Sequence, residues 1–66
     1  MSIDIEKIKR LREKLGLTLD EAAKRAGLTN RQFWHGIENG TRHNLTVETL
    51  EKVAAALNTK AKNLLK

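Results

Sequence analysis

His35 and His43 stand eight residues apart in a chain that contains no cysteine, so the thiolate sets of structural zinc sites are missing. The spacing also fails the paired-histidine helix of a zinc peptidase. Asp20 and Glu21 are adjacent acids at a helix start, where the macrodipole favours negative charge, and they form no catalytic dyad. No glycine-rich phosphate loop occurs. No enzyme, metal or cofactor is therefore expected. The chemistry left is non-covalent, and it gathers in Asn30, Arg31, Gln32 and His35. The forked guanidinium of Arg31 suits O6 and N7 of guanine, and the amide of Gln32 suits N6 and N7 of adenine. Each such pairing is worth about 1–3 kcal/mol of discrimination. Asn30 can cap a helix or read a base, but not easily both. His35, one turn beyond Arg31, reaches a base or a phosphate.

These residues open a short polar segment, about Arg31 to Asn39, that ends at Gly40. Before it lies a helix from about Leu19 to Ala26, and between them the turn Gly27-Leu28-Thr29-Asn30. Helix, glycine-bearing turn and second helix at this spacing form the pattern of a DNA-reading helix-turn-helix. Thr18 caps the first of the pair and Glu21 completes a capping box. Ala22, Ala23 and Ala26 form its buried side, and such small side chains need a bulky neighbour, Phe33 or Trp34. The start of the second helix admits two frames. With Thr29 as cap and Gln32 as its partner, the helix begins at Asn30 and turns Phe33 and Ile37 inward. With Asn30 as cap it begins at Arg31 and turns Trp34 and Ile37 inward, and this frame is preferred.

The remaining elements supply a core behind this pair. Ser2 or Asp4 caps a first helix whose Ile5, Ile8, Leu11 and Leu15 share one stripe, and Gly16 ends it in a left-handed conformation. Thr41 to Asn44 is a polar turn. Thr46 caps a fourth helix with Leu45 and Leu50 as a hydrophobic staple. Leu50, Val53, Ala54 and Leu57 are its buried face, Glu48, Glu51 and Lys52 are solvated, and Asn58 is its exit. A last short helix, about Lys60 to Leu65, offers Ala61, Leu64 and Leu65 to the core or to a second subunit. No strand pattern appears. The expected fold is all-α, a compact bundle of five short helices spanning residues 1–66 as one domain.

Composition agrees. Sixty-six residues bury only about 60 % of their extended-chain surface, which leaves no room for a catalytic pocket. Thirteen Lys and Arg against eight Asp and Glu give +5 and a pI near 10.0, a bias towards polyanionic partners. No apolar run approaches the roughly 20 residues of a membrane span, and no signal-type segment opens the chain. A soluble intracellular protein is the expectation.

In the order and spacing of several short marks, the chain resembles the phage-repressor and Cro-type, or XRE-like, helix-turn-helix family. The marks are Leu11-Arg12 before Gly16, Leu17-Thr18, Ala22-Ala23, Gly27-Leu28-Thr29, Ile37-Glu38-Asn39-Gly40, Leu45-Thr46 with Thr49-Leu50, and Ala56-Leu57. The resemblance runs from about Ile8 to Leu65. It implies a lambda-repressor-like domain acting as a cytoplasmic, nucleoid-associated transcriptional regulator, a repressor, in a prokaryotic or phage setting. The partner so implied is double-stranded DNA with a pseudo-palindromic site, bound by a homodimer with helix 3 in the major groove. Arg12 matches a helix-1 arginine that pairs with a glutamate at the end of that helix, here Glu38. Two departures stand out. Leu19 occupies a place that is polar in most relatives, often Gln. Gly27 to Gly40 also holds one residue more than the commonest form of the motif.

Within this frame Thr18 at the helix-2 start, Lys24, Arg25, Thr41, Arg42, His43 and Asn44 are candidate phosphate contacts, which position a domain without reading sequence. Phe33 packs on helix 2 or touches a thymine methyl, with packing favoured. Gly36 either lets DNA approach or clears space for a neighbouring helix. Leu57, Ala61, Leu64 and Leu65 are a possible dimer patch, or else the cap of the core. Two rival readings remain on the same fold. One is a protein-interaction module, motivated by Leu19, and the other is a non-specific DNA binder driven by charge.

Overall fold

Four short polar side chains start four helices. The computed structural model describes residues 3–28, 30–41 and 45–66. Its elements are α1 (Ile5–Lys14), α2 (Leu19–Ala26), α3 (Arg31–Glu38), α4 (Val47–Ala56) and a 3₁₀ turn (Ala61–Leu64). Asp4 caps α1 by accepting from the Lys7 N–H at 3.2 Å. Thr18 caps α2 by accepting from the Glu21 N–H at 3.1 Å, and the Glu21 carboxylate accepts from the Thr18 N–H at 2.9 Å. Asn30 accepts from the Phe33 N–H at 3.1 Å, and Thr46 from the Thr49 N–H at 3.1 Å. Each bond satisfies a donor that the first turn of a helix cannot. The other capping candidates, Ser2 and Thr29, lie outside the described residues.

The Thr18 bonds, backbone first and hydroxyl second, hold the Glu21 carboxyl below its ordinary value of 4.5. A lowered folded value stabilises the fold above the unfolded one and ceases to do so as pH falls through it.

α2 leaves through Gly27 at φ +72°, and α1 through Gly16 at φ +70°. Both are left-handed positions where a Cβ would be strained. Gly16 also corrects one expectation. Leu15, assigned to the inner stripe of α1, is 39 % exposed. The chain turns away immediately after it, and Leu17 packs against the core beyond the turn.

α2 packs against both α3 and α4, α1 packs against α3, and the 3₁₀ turn closes on α4 and α1. Trp34, Ile8, Ile37, Leu64 and Val53 are the large side chains fully enclosed. Ala22, Ala23 and Ala26 are buried with them in one cluster whose bulkiest member is Trp34, while Phe33 is half-buried against the same cluster. Leu45 packs against the core on which Leu50 also lies, as the staple requires, and Asn58 takes φ +57°.

The end of the chain differs from expectation in three ways. The last helix is a single 3₁₀ turn, and Leu65 beyond it is extended. Leu65 pairs with Ile3 in an isolated antiparallel bridge, and the Asp4 N–H donates to the Leu64 carbonyl at 2.7 Å. Finally, Leu57 (2 % exposed) and Leu64 (0 %) are covered by this chain's own core, because the 3₁₀ turn folds back on α4. Neither has an exposed side to give a dimer patch, which shrinks to the half-buried Ala61 and Leu65.

Candidate nucleic-acid interface

α3 begins at Arg31 because Asn30 caps it. This start fixes the faces of the helix. At 3.6 residues per turn, Arg31, Gln32, His35 and Asn39 fall within about 100° of arc, and Trp34, Ile37 and Glu38 fall within a separate arc of about the same width, centred about 120° away. The structure bears out that division. Arg31, Gln32, His35 and Asn39 are exposed, Trp34 and Ile37 are fully buried, and the Glu38 side chain is 7 % exposed. Among the described residues, the side chains of Arg31, Gln32 and His35 have no hydrogen-bond or ion-pair partner. Three side chains of unlike hydrogen-bonding chemistry thus project together from a helix whose other face is fixed.

What fixes it is an ion pair. Arg12 of α1 donates through Nε to Glu38 Oε2 at 2.6 Å and through Nη2 to Oε1 at 3.2 Å. Its Nη1 reaches the Leu17 carbonyl at 2.8 Å, one residue before the cap of α2. One guanidinium therefore ties α1, the entry of α2 and the end of α3 together. The hydrogen bond that Arg12 donates to Glu38 is the main reason that its guanidinium is held above its ordinary pKa, against the opposing effect of burial. The Trp34 indole N–H donates to Glu38 Oε2 as well. Sequence reading paired Arg12 with Glu38 but missed the indole, although Trp34 and Glu38 stand four apart, the spacing of neighbours on a helix.

The other candidates scatter. Asn30 has committed its amide oxygen to the cap, so a bidentate adenine contact would require it to release α3. Asn30→Ala is expected to lower stability by about 1 kcal/mol, and Asn30→Ser to restore most of it. Thermal melts decide this, and an unchanged alanine variant would mean that some other group caps α3. Gly36 is buried, so its missing side chain leaves room for the protein itself. Thr18 sits at the start of α2 with its hydroxyl used as a cap. Lys24 is exposed, whereas Arg25 donates to Asn58 Oδ1 at 3.4 Å. Thr41 is exposed, and its N–H donates to Asn39 Oδ1 at 2.9 Å. Arg42, His43 and Asn44 lie outside the described residues. Leu19, the departure at the head of α2, is partly buried and packs against the core.

Among the described residues no three His, Cys, Asp or Glu side chains gather as a metal site would need. None of their helices is long and apolar enough to cross a membrane.

Comparison with known proteins places this geometry. The profile of the family described as "Helix-turn-helix domain" matches residues 5–66. No curated protein is significantly similar in sequence. Solved structures are similar over almost the whole chain. The crystal structure of SinR, a master regulator for biofilm formation, in complex with DNA is 31 % identical with a TM-score of 0.86. It covers 97 % of this chain and 100 % of that one. The restriction-modification controller protein C.AhdI from Aeromonas hydrophila is 30 % identical with a TM-score of 0.84, covering 92 % and 89 %. In its complex with SinI, SinR (from Bacillus subtilis) is 31 % identical with a TM-score of 0.85, and 97 % of this chain spans 61 % of that longer one. With the matched profile and these relatives, this chain belongs to the XRE/Cro-type family of helix-turn-helix DNA-binding domains.

Proposed function

We propose that the chain is a sequence-specific transcriptional regulator, acting in the cytoplasm as a repressor, that lays α3 in the major groove of duplex DNA. The observation that carries this is the exposed face of α3. Arg31, Gln32 and His35 stand on it without hydrogen-bond or ion-pair partners among the described residues, while the buried face is locked to α1 and the core. The relative SinR has been crystallised with DNA. Arg31 and Gln32 read base edges, and His35 reaches a base or phosphate one turn further on. Thr18, Lys24, Thr41 and the segment of Arg42, His43 and Asn44 meet phosphates; Arg25 joins them by exchanging Asn58 for a phosphate. Asn30 contributes mainly as the cap that sets where α3 begins. The 66 residues work as one unit, and the work is binding, not turnover.

A single α3 offers only a few reading side chains. Two copies on a pseudo-palindrome, with half-sites about one helical turn apart, double that number. The homodimer proposed here forms on DNA, with Ala61 and Leu65 as what remains of an apolar patch.

Selection from a random duplex library at moderate salt tests the reading, and a recovered palindrome with such half-sites is the expected result. Arg31→Ala should then weaken the selected site by about 1–3 kcal/mol and relax preference at one base pair per half-site. Enrichment of no sequence, together with a steep salt dependence, would instead leave a charge-driven, non-specific binder.

A further inference from the structure

Glu38 occupies the last turn of α3, where the negative end of the helix dipole opposes a carboxylate. It is held there by three N–H donors. Two belong to Arg12 of α1, and the third, the Trp34 indole N–H, comes from α3 itself. The Trp34 ring is fully buried in the cluster that contains Ala22, Ala23 and Ala26 of α2. The ring is thus anchored in the core, while its N–H grips the carboxylate that grips α1. Core packing places the helix, and directional hydrogen bonds add a defined rotation about its axis. A rotation of about 10° moves a side-chain tip about 6 Å from the axis by about 1 Å. Bidentate contacts need placement within about 0.5 Å.

Resting on the DNA-reading function proposed above, we infer that Trp34 is a positioning residue for sequence discrimination. Its indole N–H, by fixing the Glu38 carboxylate on Arg12, sets the rotation of α3 and so the aim of Arg31 and Gln32. Trp34 touches no DNA in this arrangement, because its side chain is fully buried in the core.

The test uses Trp34→Phe, which keeps an aromatic ring in the core and removes the donor. Val53→Ala, a fully buried change in α4, serves as a comparison that disturbs the core away from the network. Affinity for the selected site is measured against affinity for random duplex. Trp34→Phe should lower that ratio by about tenfold, the order of one misaligned base contact. Val53→Ala should keep it within about twofold despite a lowered Tm. An unchanged ratio in Trp34→Phe overturns the positioning role and leaves the DNA-reading function standing, as does an equal loss in Val53→Ala. A wild-type protein with no site preference overturns the DNA-reading function and this role with it. Should Trp34→Phe fail to fold, the wild-type indole proton decides. Slow exchange with solvent by NMR is expected, and exchange at the rate of an exposed indole would overturn the role.

Discussion

Trp34→Ala is expected to remove most of the cooperative thermal transition of this protein. Trp34 is the largest side chain with no exposed surface, and it shares its cluster with the three buried alanines of α2, whose side chains are too short to move into the space it would leave. Truncating a buried aromatic of this size costs about 3–5 kcal/mol. A chain of 66 residues has a total stability on the order of 3–10 kcal/mol. The variant therefore sits near the threshold of folding, with its Tm lowered by about 15 °C or more. Circular dichroism through a thermal ramp measures this. A fall of less than about 5 °C would show that the alanine face of α2 is filled by something other than Trp34. Phe33 is the nearest alternative, since it also packs on the cluster.

The second large effect is asymmetric. Glu38→Ala strands the Arg12 guanidinium, whose side chain is only 14 % exposed, and leaves the indole N–H of Trp34 without its acceptor. Breaking such a pair from one side costs about 3 kcal/mol, whereas replacing both partners by apolar groups of similar volume can be nearly neutral. The double variant Arg12→Met with Glu38→Leu is accordingly expected to melt at a higher temperature than Glu38→Ala alone. Chemical denaturation of wild type, Arg12→Met, Glu38→Leu and the double closes the cycle, with a coupling of about 1–3 kcal/mol expected. Additive single losses would mean that the pair contributes nothing beyond its parts. The Arg12 side of this pair is insensitive to acid. Its folded pKa is raised, so the stabilisation is complete below the unfolded value and is lost only as pH rises through the folded one.

Both effects rest on side chains whose importance reads unevenly from sequence, and the reason is physical. Caps are local chemistry. Thr18 with Glu21, Asn30, and Thr46 each satisfy a donor three residues away, so residue type and spacing suffice to place them. The alanine face of α2 is equally plain, since three small apolar residues at helical spacing have one economical use. Leu15 misled because it continues the stripe of α1 in sequence while Gly16 turns the chain off that stripe in space. Leu57 and Leu64 looked available for a partner because nothing local shows that the 3₁₀ turn folds back on α4. The indole bond is of the same kind. Trp34 and Glu38 are placed as neighbours by the helix, but which way the ring turns depends on Arg12, twenty-two residues earlier in the chain. The face of α3 follows once the cap is known, so the candidate reading residues were legible to the extent that Asn30 was. The succession of two capping candidates, Thr29 and Asn30, was the obstacle to reading that start.

The bridge between Ile3 and Leu65, with Asp4 bonded to Leu64, brings the segment entering α1 and the segment leaving the 3₁₀ turn side by side. Both lie far in sequence from α3, so joining Leu65 to Ile3 by a short linker and cutting the chain elsewhere should preserve the reading face. The exposed Gly16 turn between α1 and α2 is the natural place for the cut. Such a permuted chain would carry its ends beside the tip of α1. A domain or label could then be attached there, where the unpermuted molecule presents only a turn.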